Sequence, residues 1–151
     1  MRLLLSSPEA TAALGARLGR CAVAGTAVAL NGDLGAGKTV FARGFAQGLG
    51  VPGRVRSPTF VLASRHEGGR HPLVHADLYR VGEVRELAAL ELHGHLTEGD
   101  VVLAEWAERY PGVLPDDHLE VALILGEGDE RQVVLSARGP RHLALLACLD
   151  G

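Results

Sequence analysis

Apolar residues fall into two kinds of stretch along the chain: short unbroken runs, and longer segments with helical spacing. The run "TAVALNG" is unbroken and ends at Gly32, which is typical of a strand buried on both faces of a sheet. The segment "TVFARGFAQGLG" has helical spacing, and we expect its helix to stop at Gly48 or Gly50. A second unbroken run, "DVVLAEW", carries an acid at its end. This alternation predicts parallel strands covered by helices.

Two pairs of strand-like runs are separated by turn residues. "FVLASRH" and "HPLVHADLY" lie on either side of a Gly-Gly turn, and "HLEVALILGE" and "RQVVLSA" lie on either side of "GDE". Each pair predicts an antiparallel hairpin. One more short strand is expected at "RLLLS", near the start of the chain.

Three further segments predict helices. "SSPEATAALGARLGRC" begins with Ser6 and Glu9 at the spacing of a capping box. "EVRELAALELHGHL" is amphipathic and is expected to break at Gly94, and "PRHLALLACL" forms a last helix. No repeat or linker divides the sequence. We therefore expect an α/β fold in a single domain over residues 1–151, with a mainly parallel sheet, antiparallel hairpin additions and helices on both faces.

Composition adds little beyond excluding some classes of protein. The net charge is −3, so nothing in the overall charge favours nucleic acid or an acidic membrane surface. The longest apolar stretch, "CAVAGTAVAL", is about half the length of a membrane span. The apolar run near the start of the chain, three leucines, is too short for the core of a signal sequence. We therefore expect a cytoplasmic protein that does not bind a membrane. In a reducing compartment Cys21 and Cys148 would be two buried free thiols.

Residues Gly32 to Thr39 fit the phosphate-loop (P-loop, Walker A) motif Gly-x-x-x-x-Gly-Lys-[Ser/Thr] and lie between a predicted strand and a predicted helix. Glycines allow successive backbone N–H groups to turn inward around a phosphate, and the start of the helix adds the positive end of its dipole. Lys38 is expected to reach the terminal phosphates, and the Thr39 hydroxyl is expected to contact Mg²⁺.

Lys38 is the only lysine in the chain, and the other 14 of the 15 basic residues, lysines and arginines together, are arginines. A planar guanidinium cannot replace an ammonium that a loop wraps closely. The retained lysine therefore supports a site whose geometry requires it.

Two acids follow buried strands. Asp77 ends "LVHAD" and Glu105 ends "VVLAE", so both are candidates to orient metal or water near Thr39. Asp77 could instead be the N-cap of a following helix. His75 should share a sheet face with Asp77 and is a candidate to orient it. Ser57 and Thr59, in "RSPTF", could bind phosphate, metal or water, or belong to an ordinary turn.

The pieces "GDLGAGKT", "SPTF", "HADLYR" and "LAEW" resemble, in this order and spacing, the TsaE (YjeE) family over nearly the whole chain. The resemblance implies a small bacterial P-loop ATPase of the tRNA threonylcarbamoyladenosine modification system. Val40 departs from a threonine that is common in the family, and Ala76 from a frequent aromatic residue. Without a threonine at position 40, the metal-binding hydroxyl of Thr39 has no obvious substitute, whereas Ala76 leaves the predicted chemistry intact.

The resemblance also implies roles for individual residues. ATP would be bound by the residues of the loop together with Trp106 and the Ser/Thr segment, namely Leu34, Gly35, Ala36, Gly37, Lys38, Thr39, Ser57 and Thr59. Thr39 and Glu105 would hold Mg²⁺. Asp77, Glu105 and Lys38 would be the catalytic residues. In the family, residues before the first helix help to hold the base; Ser7 and Pro8 fall in that region, but their spacing does not assign this role to either of them.

The family further implies two protein partners, the threonylcarbamoyl-transferase subunit and its inactive paralogue (TsaD and TsaB type). Together they modify the adenosine beside the anticodon of tRNA, which places tRNA near the complex. The ATPase would use ATP binding and hydrolysis to reset this heterodimer between turnovers, and would be weak on its own.

Other interpretations remain. Small P-loop proteins are often small-molecule kinases, although no Arg-rich lid is evident. A GTP-dependent switch is disfavoured because an Asn-Lys-x-Asp element would need a second lysine. We expect structural or solvated roles for His93 and His95. The roles of Arg80 and of the cluster Arg54, Arg56, Arg65 and Arg70, whether solvated or facing tRNA or an acidic partner, stay open.

Overall fold

A computed structural model describes residues 1–33, 35–53 and 62–150, apart from the side chain of Arg80. The strands are β1 (Arg2–Leu5), β2 (Ala27–Gly32), β3 (Ala63–His66), β4 (Leu73–Asp77), β5 (Val101–Glu105), β6 (His118–Leu125) and β7 (Arg131–Arg138). The helices are α1 (Pro8–Cys21), α2 (Lys38–Leu49), α3 (Val84–Ala89), α4 (Leu92–Thr97) and α5 (Pro140–Asp150). There are also two 3-10 helices: Leu78–Arg80 directly follows β4, and Ala107–Arg109 lies between β5 and β6.

The seven strands form one sheet in the order β1-β7-β6-β2-β5-β4-β3. The four central strands, β6, β2, β5 and β4, are parallel, and the outer pairs are antiparallel. Because β2, β4 and β5 point the same way, their carboxyl ends meet at one edge of the sheet. The predicted α/β fold with antiparallel hairpin additions is confirmed, and the parallel part is its centre.

The first face of the sheet is covered by α1, α2 and α5. Glycines let the backbones of α1 and α2 approach directly: a Cβ atom at Gly44 would overlap the carbonyl oxygen of Ala12, and one at Gly15 would overlap that of Phe41. Phe41 and Phe45 are fully buried beneath this contact. The α1–α2 pair therefore forms a tightly packed layer over the core.

The second face of the sheet is covered by α3, α4 and the two 3-10 helices. The prediction of one helix broken at Gly94 is wrong, because Gly94 lies inside α4 and the break falls before it, at Glu91, whose φ is 50°. The physical reason is burial. Helix α3 buries no residue, and the change of direction at Glu91 turns Leu92 and Leu96 onto the sheet.

The N-terminus of α1 also differs from its prediction. Ser7, rather than Ser6, is the N-cap, and its hydroxyl accepts a hydrogen bond from the Ala10 N–H at 3.1 Å. Serine is a favoured N-cap residue, and here the helix begins one residue later than the capping-box spacing predicts.

The last turns of α1 and α5 lie together on the first face, and Cys21 and Cys148 form a disulfide there. The expectation of two free thiols is wrong, because the packing of α5 against α1 brings the two Cα atoms within 6.0 Å, a separation that a disulfide can span. Arg17 supports the same junction by donating to the Leu149 carbonyl at 2.6 Å. Over the described ranges, no helix is both long and apolar enough to cross a bilayer.

Candidate functional site

The phosphate loop follows β2 at the carboxyl edge of the sheet. Gly32 pairs with Leu123 of β6, and a Cβ atom at Gly32 would lie 2.8 Å from the Leu123 carbonyl oxygen, so only glycine fits there. Gly35 and Gly37 have φ angles of +82° and +104°, which other residues adopt only with strain. The two motif glycines, Gly32 and Gly37, and the intervening Gly35 therefore have a structural need for glycine. Leu34, one of the predicted nucleotide ligands, lies outside the described residues.

Lys38 is the first residue of α2 and is only 7% exposed. Its ammonium donates to the carbonyl oxygens of Gly32 and Asp33, and it lies 4.2 Å from the centre of the Trp106 ring. Burial lowers the pKa of Lys38, and the nearby charges of Glu105 and Asp77 act in the opposite direction. The only lysine of the chain thus lies within the loop, between backbone carbonyls and an aromatic face.

Asp77 and Glu105 are register partners at the ends of the parallel strands β4 and β5, and Glu105 is also paired with Leu30 of β2. Both carboxylates therefore lie beside the phosphate loop, as their positions after buried strands predicted. Asp77 also caps the first 3-10 helix, accepting from the Tyr79 N–H at 3.0 Å. Burial raises the pKa of Asp77, the Tyr79 N–H lowers it, and the charge of Glu105 adds to the rise.

Glu105 is held by His75. The His75 Nε2 atom lies 2.7 Å from Glu105 Oε2, and both side chains are almost fully buried. Because a carboxylate can only accept, Nε2 carries the proton and donates it in this bond. His75, a candidate to orient Asp77, instead bonds Glu105: His75 and Asp77 share a sheet face, but the hydrogen-bond partner is Glu105 on the neighbouring strand. Sequence spacing predicts which face of the sheet His75 lies on, but its hydrogen-bond partner depends on the register of β4 against β5.

Trp106 directly follows β5 with a left-handed backbone, φ 63°. For a tryptophan this conformation is strained, and such strain is concentrated at functional sites. Its ring lies 5.0 Å from that of Tyr79, and the guanidinium of Arg109 lies 5.3 Å from the Tyr79 ring. Arg109, Tyr79, Trp106 and Lys38 therefore form one stack that runs from the second face into the phosphate loop.

Arg131 is a residue of the site that the sequence did not indicate. Its guanidinium donates to the carbonyl oxygens of Ala36 at 3.1 Å and Gly35 at 3.2 Å, both in the phosphate loop. A cavity of about 140 Å³ opens beside it. This cavity is lined by Pro8, Thr11, Gly35, Gly37, Val40, Asp129 and Arg131.

The donors at this edge fit a magnesium ion that arrives with a nucleotide. Within the part of the chain that the structure describes, no group of three or more His, Cys, Asp or Glu side chains could hold a metal by themselves. Mg²⁺ usually takes only one or two protein oxygens and completes its shell with phosphates and water. The Thr39 hydroxyl, at the second position of α2, and the Glu105 carboxylate are oxygen donors of that kind.

The remaining candidates have other roles or cannot be placed. Ser57, Thr59, Arg54 and Arg56 lie outside the described residues. Arg65 pairs with Asp100 and Glu67. Arg70 donates to four carbonyl oxygens around the ends of α1 and α2. His95 bonds Asp100 at 2.9 Å, and His93 lies 3.1 Å from the Gly112 carbonyl oxygen.

Comparisons with known proteins relate this chain to one family. A family model described as "Threonylcarbamoyl adenosine biosynthesis protein TsaE" matches residues 5–133. The tRNA threonylcarbamoyladenosine biosynthesis protein TsaE of Bacillus subtilis is 38% identical over 136 residues, which cover 90% of this chain and 85% of that protein. The protein of the same description from Streptomyces coelicolor is 42% identical over 135 residues, 85% of this chain and 90% of that one.

A solved structure shows the same fold. The crystal structure of Bacillus subtilis YdiB superposes with a TM-score of 0.86 at 31% sequence identity, covering 99% of this chain and 93% of that chain.

Proposed function

The chain belongs to the TsaE family and takes part in the biosynthesis of threonylcarbamoyladenosine in tRNA, and we propose that it does so by binding and hydrolysing ATP. The observation that supports ATP most directly is the meeting of the phosphate loop with two carboxylates, the buried Glu105 and the partly buried Asp77, at one edge of the sheet. A loop of this kind binds the phosphates, and carboxylates beside it serve the metal and the water.

In this proposal the nucleotide phosphates bind the loop from Leu34 to Thr39. Lys38 exchanges its bonds to the Gly32 and Asp33 carbonyls for bonds to phosphate oxygens. Both sets of partners are oxygen acceptors, so the ammonium stays bonded throughout the exchange. The ring of Trp106 also lies against the ammonium. Ser57 and Thr59 remain proposed ligands from the sequence.

Thr39 and Glu105 are the residues that would hold Mg²⁺, which when bound neutralises charge on the phosphates. His75 fixes the Glu105 carboxylate, so this ligand enters the site in one orientation. Asp77 has a raised pKa, and a more basic carboxylate is better suited to accept a proton from the attacking water. We therefore assign metal binding to Glu105 and water activation to Asp77.

The cavity beside the phosphate loop is the proposed site of the adenine base. Pro8 and Thr11 of α1 supply one wall, and Asp129 and Arg131 of the β6–β7 hairpin supply another. Its position next to Gly35 and Gly37 would let the base and the phosphates of one nucleotide be bound together. This agrees with a contribution from the start of the first helix.

The family implies partners, and we propose that the TsaD-type transferase subunit and its TsaB-type paralogue complete the site. ATP binding and hydrolysis would reset that heterodimer between rounds of tRNA modification. Hydrolysis by the isolated chain is therefore expected to be slow and to rise when the two partners and tRNA are added.

The test combines calorimetry with an ATPase assay, run with and without the two transferase subunits and tRNA. Lys38→Ala should weaken binding of Mg-ATP, and Glu105→Ala should mainly abolish turnover while binding stays closer to normal. Glu98→Ala is the matched control, because Glu98 is an exposed acid beyond the opposite edge of the sheet. Unchanged hydrolysis in the Glu105 variant would refute the role of that acid. A phosphorylated metabolite with negligible hydrolysis would favour a small-molecule kinase.

A further inference from the structure

The β6–β7 hairpin lies beside the phosphate loop, and Arg131 is the first residue of β7. Its backbone is paired on one side with Leu125 of β6 and on the other with Leu5 of β1. Arg131 therefore starts from a backbone position fixed between two neighbouring strands. A side chain anchored in this way can hold a loop more accurately than one that is itself on a loop.

The guanidinium of Arg131 connects the hairpin to the phosphate loop. Nε donates to the Ala36 carbonyl and Nη2 to that of Gly35, while Nη1 donates to the carbonyls of Gly128 and Glu130 at 2.8 Å each. A guanidinium has five N–H donors in a fixed plane, and these contacts use four of them. The group is thus held at both ends, with the loop carbonyls on one side and the hairpin turn on the other.

Holding a carbonyl also sets the direction of the N–H in the same peptide. The peptide unit is planar and trans, so its C=O and N–H point to opposite sides. With the Ala36 carbonyl turned to Arg131, the Gly37 N–H points away from Arg131. Peptides beside glycine turn over easily because glycine tolerates both signs of φ. A reversal here would present a carbonyl oxygen where a phosphate needs a donor.

We propose that Arg131 is a positioning residue that holds the phosphate loop in the conformation that binds phosphate. This inference rests on the proposed function, because it concerns the same nucleotide site. Arg131 acts through the peptide groups of the loop, so its effect should be felt by any ligand that carries the phosphate chain.

Arg131 also lines the cavity proposed for the base, and a direct contact with the base is the competing role. Inorganic triphosphate separates the two roles, because it has the phosphates of ATP and lacks the base. A positioning residue affects both ligands, whereas a base contact affects ATP alone.

The experiment measures binding of Mg-ATP and of Mg-triphosphate by calorimetry to the unaltered chain, Arg131→Gln, Arg131→Lys and Arg138→Gln. Arg138 is the matched control, an exposed arginine at the other end of β7 that contacts Glu120 at 3.3 Å. We expect Arg131→Gln to weaken both ligands about tenfold or more, the loss of about one charge-assisted hydrogen bond. Arg131→Lys should not restore binding, because one ammonium cannot span the carbonyls on both sides. Arg138→Gln should bind as the unaltered chain does.

Each result supports or overturns a specific statement. If the unaltered chain binds neither ligand, the proposed function fails. If it binds both and Arg131→Gln binds them equally well, the positioning role fails and the proposed function stands. If Arg131→Gln weakens binding of ATP but not of triphosphate, Arg131 contacts the base. If Arg131→Lys binds both ligands as the unaltered chain does, only the positive charge of Arg131 matters. Thermal melting checks that each variant is folded. If Arg131→Gln does not fold, binding of the two ligands to Arg131→Lys is compared with the unaltered chain instead.

Discussion

The two faces of the sheet are built in different ways. The first face carries helices of 14, 12 and 11 residues, two of them packed backbone to backbone through glycines. The second face carries α3 and α4, of six residues each, and two 3-10 helices of three. Helices this short are not stable by themselves and depend on their contacts with the sheet. The second face should therefore open locally at a lower free-energy cost than the first.

The proposed nucleotide site lies where these two faces meet. Lys38 begins α2 on the first face, whereas Tyr79, Trp106 and Arg109 belong to the second. The stack of these side chains therefore joins the first face to the second face, which is expected to open locally at a lower free-energy cost. We therefore expect the same kind of substitution to alter stability more on the first face than on the second.

The largest effect is expected at the α1–α2 contact. Gly44→Ala adds a methyl group that overlaps the Ala12 carbonyl, a backbone atom that cannot move aside without separating the helices. We expect a loss of about 3 kcal/mol or more in the free energy of unfolding, measured by urea denaturation. A loss below about 1 kcal/mol would show that the first face adapts more readily than its packing indicates.

The next effect is expected from the disulfide between Cys21 and Cys148. Cross-linking residues 127 apart restricts the unfolded chain, so reduction or Cys148→Ser should lower the free energy of unfolding by about 2–3 kcal/mol. Urea denaturation with and without reductant measures the loss. The Cys148→Ser chain is the control, because reductant should leave its stability unchanged.

A smaller effect is expected from acid, through His142 of α5. His142 is fully buried: its Nδ1 lies 2.7 Å from Asp117 Oδ1, and its Nε2 accepts from the Ala27 N–H. Burial lowers the pKa of His142 below its ordinary value of 6.5. The unfolded chain then binds more protons, so this stability is complete above about pH 6.5 and is lost as the pH falls through the folded pKa.

Urea denaturation at several pH values between about 7.5 and 5 tests this with His142→Gln, whose amide can bond both neighbours without titrating. Stability of the unaltered chain should fall more steeply towards acid pH than that of the variant, and by less than the disulfide contributes. Parallel pH profiles of the two chains would contradict the assignment.

The smallest effect, of opposite sign, is expected on the second face. A Cβ atom at Gly94 would meet only the Glu91 Cβ, at 3.8 Å, so Gly94→Ala fits without displacement. Alanine inside a helix should raise the free energy of unfolding by about 0.5–1 kcal/mol. Urea denaturation of the Gly94→Ala and Gly44→Ala variants compares the effect of the same substitution on the two faces. A loss at Gly94 would remove the contrast between them.

The sequence predicted the parts of the site that depend on neighbouring residues. The strand, phosphate loop and α2 follow from apolar spacing and glycines within one segment, and Asp77 and Glu105 follow from their places after buried strands. The Gly15/Gly19 and Gly44/Gly48 pairs, each four residues apart, were a readable sign of close helix packing that the prediction did not use.

The remaining features depend on tertiary contacts between distant segments. Arg131 reaches a carbonyl 95 positions away, and the partner of His75 depends on how β4 and β5 align. The disulfide depends on where α5 packs, and the turn at Glu91 depends on which leucines the second face buries. Local sequence spacing carries no information about these pairings.

The disulfide also changes what a protease can do to this protein. It closes almost the whole chain into a covalent ring, with 20 residues before Cys21 and three after Cys148. A single cut anywhere in the ring would leave one molecule of nearly unchanged mass, which would come apart into two fragments only under reducing conditions. Backbone cleavage and loss of the intact molecule are thus two separate events in this fold.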